Sequence, residues 1–350
     1  MRIVYVLGGL AAVAFLLAGC GGGGAHAAPG EPVARTSAAP AEKPAPFPCP
    51  NPSDRLEVTL DGYAGAENAG ILMAEQRGYF RKAGLDVWVR TPGNPEYPVS
   101  YVAVGDDDIG IAQQPQIVLG NELEETVVAI GSAISEPAAA TIWLKGSGID
   151  EIADLKGKRI ATSGALYQSD LLEQALAQAG LTLDDVEVVA AGYELVPKLL
   201  NGEVDAIFGG SANIEGAALE ARGAEPVITP VQELGAPAYD ELMVIARPEC
   251  VAKHPALYRR FMAAVARGTD AAKKDPHGTA LAIERDIGSD PKAGRKETEA
   301  QVAATLPLLS RSGRIDLGQA ADLVKWMREK GMIEEEPEVE QLFTNDYLAP

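Results

Sequence analysis

Residues 56–60, Leu-Glu-Val-Thr-Leu, alternate apolar and polar side chains with period two, as a strand with one buried face does. Asp61-Gly62-Tyr63 interrupts the alternation, and the spacing over 68–77 predicts a helix. Gly84 stands where a helix C-terminal cap is expected, and 85–89 supplies a second strand, so a parallel β-α-β unit opens a folded body near Arg55. Strands follow at 108–112 and 127–134, with a helix at 115–120 between them. Ile142-Trp143-Leu144 then runs into Lys145-Gly146-Ser147-Gly148, read as a turn that carries the chain into a second lobe. There, strands at 159–162, 186–190, 206–208 and 227–229 alternate with helices at 170–179, 193–200 and 214–221. Asp170 and Glu173 have the spacing of a capping box, and Gly180 of a helix stop.

A strand at 241–245 is read as the return to the first lobe, and helical spacing continues at 254–274, 278–285, 297–309 and 318–330. The pattern predicts an α/β protein of two lobes, each a mainly parallel sheet flanked by helices, with two crossovers. Lobe one takes residues 55–144 and 241–350, and lobe two takes residues 145–240. Tyr79, Phe80 and Trp88 are read as core aromatics.

Before the folded body the pattern changes. Arg2 precedes an apolar run over 3–18, then Leu17-Ala18-Gly19-Cys20 and four glycines. The run is short for a bilayer-spanning helix, which needs about 20 residues, and small residues flank the Cys. This segment resembles a bacterial lipoprotein signal; an ordinary secretory signal is the alternative. The resemblance implies removal of residues 1–19, acylation of Cys20, and a position on the extracytoplasmic face of the cell membrane. Residues 20–54, dominated by Gly, Ala and Pro, would form a lipid-anchored flexible linker.

The net charge of −20 argues against nucleic acid and anionic lipid headgroups as partners. Cys49 and Cys250 are the remaining thiols; they are open to pairing, or Cys250 to standing as a buried thiol among apolar neighbours. His26, His254 and His277 are far apart, and no Cys or His cluster has zinc-like spacing, so neither a metal nor a cofactor is assigned.

The run over 68–89, Asn-Ala-Gly-Ile-Leu-Met-Ala-Glu-Gln-Arg-Gly-Tyr-Phe-Arg-Lys-Ala-Gly-Leu-Asp-Val-Trp-Val, resembles the opening motif of a periplasmic-binding-protein family that joins sulfonate and taurine receptors to thiamine-pyrimidine proteins. The likeness continues through Pro92-Gly93-Asn94-Pro95, the segment from Val104 to Ile111, Leu144 to Ile149 and Leu155 to Ile160. It implies the two-lobe, type II fold of ABC-importer receptors, which act as monomers with permease and ATPase subunits as partners. Gly209 to Glu215 and Gly235 to Leu242 resemble the branch that binds thiamine-pyrimidine precursors. In that branch the residue equivalent to Glu215 is expected to accept from an aminopyrimidine edge; the plainer reading is a first-turn carboxylate favoured by a helix dipole.

Fungal pyrimidine synthases of similar fold consume a lysine-bound pyridoxal phosphate and their own histidine, at positions that align with Ala112 and Gln116. Neither residue can form a Schiff base or donate an imidazole, and no Cys run occupies 234–242. A non-enzymatic receptor for a small heteroaromatic ligand is therefore expected, with a synthase-like enzyme and an alkanesulfonate or taurine receptor as alternatives.

A cleft between lobes lets both sides close on one small ligand. From lobe one, Asp61, Tyr63, Asn68, Gln113 and Gln114 follow strands or open helices. From lobe two, Ser163, Gly164, Tyr167, Gln168, Tyr193, Asn213 and Glu215 do the same. Helix starts also suit anions, which keeps sulfonates open at this point.

Overall fold

β1 (Arg55–Thr59) runs parallel to β2 (Asp86–Arg90) and to β3 (Ile109–Ala112). β10 (Leu242–Ala246) lies antiparallel to both β3 and β4 (Val128–Ile134), giving a first sheet of order β2-β1-β3-β10-β4. The central strands β3 and β10 are buried along their whole length, as strands covered on both faces must be. The second sheet has the order β7 (Glu187–Ala190), β6 (Arg159–Thr162), β8 (Ala206–Ser211), β5 (Ala139–Leu144) and β9 (Pro226–Pro230). In it β6 is parallel to β7 and β8, and β5 is antiparallel to β8 and β9. This computed structural model describes residues 48–51, 55–286, 288–290 and 292–348. The predicted leader and most of the predicted linker, Cys20 included, lie outside the described residues.

Both sheets share one plan, in which the antiparallel strand is the one that arrives from the other sheet. β10 enters the first sheet after residues 231–241, and β5 enters the second after residues 135–138. The α/β, two-lobe expectation agrees with this arrangement. The expected first passage at Lys145 does not, because Ala139–Leu144 already pairs with β8 and β9. An apolar strand reads the same whichever sheet receives it, so local pattern placed β5 in the wrong lobe.

Three further local readings are corrected. The helix expected from Asp170 starts a turn earlier, as Leu166–Gln178, so Asp170 lies inside it and caps nothing. The segment Pro98–Val104 is a helix the apolar pattern did not reveal. Trp88 is 50% exposed, because β2 is an edge strand with a neighbouring strand on one side only. Phe80, by contrast, is buried and stacks on Phe261 at 5.1 Å between ring centroids.

The helix Pro255–Lys274 lays Leu257, Tyr258, Phe261, Met262 and Val265 into the core of the first lobe. Each such large apolar side chain contributes roughly 1.5–3 kcal/mol on full burial. This helix packs closely on Ala69–Gln76, and a side chain at Gly268 would collide with the Gly70 carbonyl and the Ala74 backbone. Cys49 is joined by a disulfide to Cys250 in the helix Pro248–Lys253, which fixes the start of the folded body onto the segment following β10. No helix among the described residues is long and apolar enough to cross a membrane.

Candidate functional site

The parallel strands of both sheets deliver their C-terminal ends to one crevice, where ligands of open α/β sheets are held. A cavity of about 440 Å³ fills it, within the size range of small-molecule sites. β1 leads to Asp61 and Tyr63, β3 to Gln113, β6 to Ser163, β7 to Tyr193, and β8 to Ser211 and Glu215; all of these line the cavity. Tyr167 and Gln168, on the first turn of Leu166–Gln178, complete the predicted residues in the wall.

The other predicted residues serve the wall from behind. Asn68 is buried and donates from Nδ2 to Asp61 Oδ1 at 2.9 Å. Gln114 is fully buried and its Oε1 accepts from Asp240 N at 2.8 Å, so its amide points to the second passage between lobes. Gly164 supplies a left-handed turn, φ +96°, whose N–H donates to Thr162 Oγ1. Asn213 donates to Thr305 Oγ1 at 2.8 Å and ties the lobe-two end of β8 to the helix Arg295–Thr305. Gln168 is both wall and brace: its Oε1 accepts from Ser163 N and Oγ, and its Nε2 donates to Gly209 O.

Two rings face each other across the crevice. Tyr63 and Tyr193 stand 4.5 Å apart between centroids, and Tyr193 Oη donates to Pro92 O at 3.1 Å. Leu166 N also donates across the cleft, to Glu96 Oε2 at 2.9 Å.

Five carboxylates in the wall were not among the predicted site residues: Glu67, Glu241, Asp290, and Glu284 and Glu297, the last two held in ion pairs. Glu67 sits one residue ahead of the Asn68 run, and Glu241 was read as the first residue of a strand. Glu67 and Glu241 join Asp61 and Glu215 as four carboxylates on this cavity close enough to act on one another. Burial pushes Glu215 up to about 7, against the hydrogen bond it accepts from Ser211 N at 2.6 Å. Burial likewise lifts Glu241 to about 7, against bonds from Ala138 N and Ala139 N. Asp61 and Glu67 are raised by burial too, Glu67 further by the charges of Asp61, Glu215 and Glu241. Glu215 is carried by Ala212–Gly216, a π-helical turn of a kind often found at functional sites.

The cations of the wall are already engaged. Arg222 holds Glu297 through two hydrogen bonds of 2.8 and 2.9 Å, Arg295 holds Glu284 at 2.6 Å, and Lys292 holds Glu194. Among the described residues, Asp61, Glu67, Glu215 and Glu241 pair with no cation. The wall therefore offers acceptors and ring faces to whatever enters.

The sequence matches the family described as NMT1/THI5 like over residues 66–279. The chain belongs to that family. A protein of Haemophilus influenzae named for thiamine biosynthesis is 30% identical over 284 residues, covering 80% of this chain and 88% of the relative. A formylaminopyrimidine-binding protein of Halalkalibacterium halodurans is 27% identical, covering 64% of this chain and 68% of its own. A 4-amino-5-hydroxymethyl-2-methylpyrimidine phosphate synthase of Schizosaccharomyces pombe is 28% identical, over 63% and 67%. In fold the chain is similar to the alkanesulfonate-binding protein SsuA from Xanthomonas axonopodis pv. citri, with a TM-score of 0.66 and 15% identity over 83% of this chain and 98% of that one. The fold is that of the periplasmic binding proteins.

Proposed function

We propose that this protein is the lipid-anchored, extracytoplasmic ligand-binding component of an ABC importer, and that its cleft takes a small heteroaromatic ligand bearing hydrogen-bond donors, such as a thiamine-pyrimidine precursor. The observation that carries the reading is that four carboxylates without a cation partner, Asp61, Glu67, Glu215 and Glu241, line the cavity that Tyr63 and Tyr193 also line. An aminopyrimidine is a flat ring with donor N–H groups on its edge. Tyr63 and Tyr193, in contact with each other, offer its ring their cavity-facing surfaces, and Glu215 and Glu241 in their ionised form accept from its edge in charge-assisted bonds worth about 1.5–3 kcal/mol each.

The same wall disfavours an alkanesulfonate. An anion brought within about 4 Å of one ionised carboxylate loses about 4 kcal/mol at an effective dielectric near 20. A synthase reading is disfavoured by Ala112 and Gln116. Ala112 ends β3 fully buried, and Gln116 is occupied in donating to Glu96 O at 3.1 Å, so neither supplies a nucleophile or an imidazole. The disulfide between Cys49 and Cys250 suits an oxidising, extracytoplasmic compartment.

Titration calorimetry of the purified protein against aminopyrimidines, thiamine, riboflavin and alkanesulfonates tests the reading. Heat with an aminopyrimidine and none with the sulfonates is expected; the reverse pattern, or silence across the panel, removes it.

A further inference from the structure

Glu241 occupies the place where the two passages between the lobes lie side by side. It belongs to the second passage, immediately before β10, and its Oε2 accepts from Ala138 N at 2.6 Å and Ala139 N at 3.0 Å, where the first passage enters β5. Both bonds use the same oxygen. Glu241 is 3% exposed, lines the ligand cavity, and its Oε1 takes no hydrogen bond among the described residues.

The surroundings make this a junction. Asp240, the preceding residue, accepts from Ser132 Oγ at the end of β4 and donates its N–H to Gln114 Oε1. On the other side, Ala138 O accepts from Ala212 N at 2.8 Å, one residue after Ser211, whose N–H is held by Glu215. Glu241 and Glu215 thus hold opposite sides of the same strand ends. Tyr167 and Tyr239 lie close enough for the Glu241 charge to be felt at both.

We propose that Glu241 reads a ligand's hydrogen-bond donor directly at the hinge: Oε1 accepts from the ligand while Oε2 holds the two interlobe passages together. This rests on the receptor reading of the cavity and adds a specificity-determining residue to it. The physical cause is that Oε1 is open to the cavity while Oε2 is engaged, so a ligand that fills the cavity covers this oxygen and must itself supply the donor. A donor supplied by the ligand satisfies Oε1 and favours the ionised form that binds Ala138 and Ala139 most strongly. A ligand with acceptors only would cover Oε1 and leave it without a donor. The ligand therefore gains affinity for the arrangement in which both passages are held, which is the condition for shifting a closure equilibrium.

Hydrogen exchange at the Ala138 and Ala139 amides tests this in the purified chain, with acetamidinium as a donor-only probe that does not depend on pyrimidine specificity. In the wild type, acetamidinium should slow exchange there. Glu241→Gln keeps an oxygen for the two amides but turns an NH₂ to the cavity, so its ligand-free exchange should stay close to wild type while the probe no longer slows it. Glu241→Ala should raise ligand-free exchange about tenfold. Equal slowing by the probe in Glu241→Gln, or unchanged exchange in Glu241→Ala, overturns the proposal. Calorimetry with 4-amino-5-hydroxymethyl-2-methylpyrimidine runs beside it. Silence there in the wild type, with the acetamidinium result as expected, removes the pyrimidine reading and leaves the hinge role supported.

Discussion

Tyr63 and Tyr193 face each other across the cleft at 4.5 Å between ring centroids with their planes 37° apart, one ring carried by each lobe. The contact joins the two lobes, and Tyr193 Oη donates to Pro92 O across the same gap. Replacing Tyr63 by Ala is expected to weaken aminopyrimidine binding several-fold, the scale of an aromatic contact worth about 0.5–1.5 kcal/mol. Tyr193→Phe keeps the ring and loses one hydrogen bond, so it should cost no more than about 1.5 kcal/mol. Calorimetry on both variants checks the order; an equal or larger loss in Tyr193→Phe would assign the work to the hydroxyl.

Glu215 and Glu241 are both raised from 4.5 to about 7 by burial. A raised carboxyl binds its proton more tightly in the folded state, so its contribution to stability is complete below about 4.5 and lost as pH rises through about 7. The loss is at most about 3 kcal/mol per group. Ligand-free melting temperature should therefore fall between pH 5 and pH 8, with a shallower slope in Glu215→Gln. Binding of a neutral donor ligand has the opposite sign, because it favours the ionised form. Its affinity should rise over the same interval, and a falling affinity would mean that the ligand accepts from these groups.

Gly268 is required by the close approach of Pro255–Lys274 to Ala69–Gln76. Gly268→Ala puts a methyl against the Gly70 carbonyl and should destabilise the fold by at least about 1–3 kcal/mol, the usual range for overpacking. Urea unfolding measures it. The same substitution should also weaken ligand binding, since the displaced helix begins one residue after Asn68, which orients Asp61.

The disulfide between Cys49 and Cys250 closes a separation of 201 residues. Its removal by paired Cys→Ser substitution should cost about 2–4 kcal/mol. A melting temperature unchanged by reduction would show that the bond contributes nothing to the folded body.

Cys20→Ala should move the protein from the membrane to the soluble fraction while leaving ligand affinity unaltered. Fractionation and calorimetry on the same variant check both halves. Retention on the membrane would argue against acylation at this position.

Much of this protein is local. Periods of two and of 3.6 place most strands and helices, and the residues after strands, such as Asp61, Gln113, Ser163 and Glu215, follow from the rule that strand ends open onto loops. Neighbouring amides show the limit. Gln113 lines the cavity, whereas Gln114 is fully buried and bonded to Asp240 N, because one residue's step at a helix start turns the side chain through a large angle. Asn68 and Asn213 look like ligand contacts in the sequence and act as braces in the fold.

By itself the sequence determined the α/β class, the order of most elements, the family, and the side chains carried to the strand ends. Tertiary structure alone decided that β5 crosses to the second sheet, that Cys49 meets Cys250, and that Glu67 and Glu241 join Asp61 and Glu215. The reason is separation along the chain. Glu241 and Ala138 are 103 residues apart, and Asp240 and Ser132 are 108 apart. Spacing within a helix or strand states which face a residue takes; which distant carboxylate it will share that face with is set by how two lobes close.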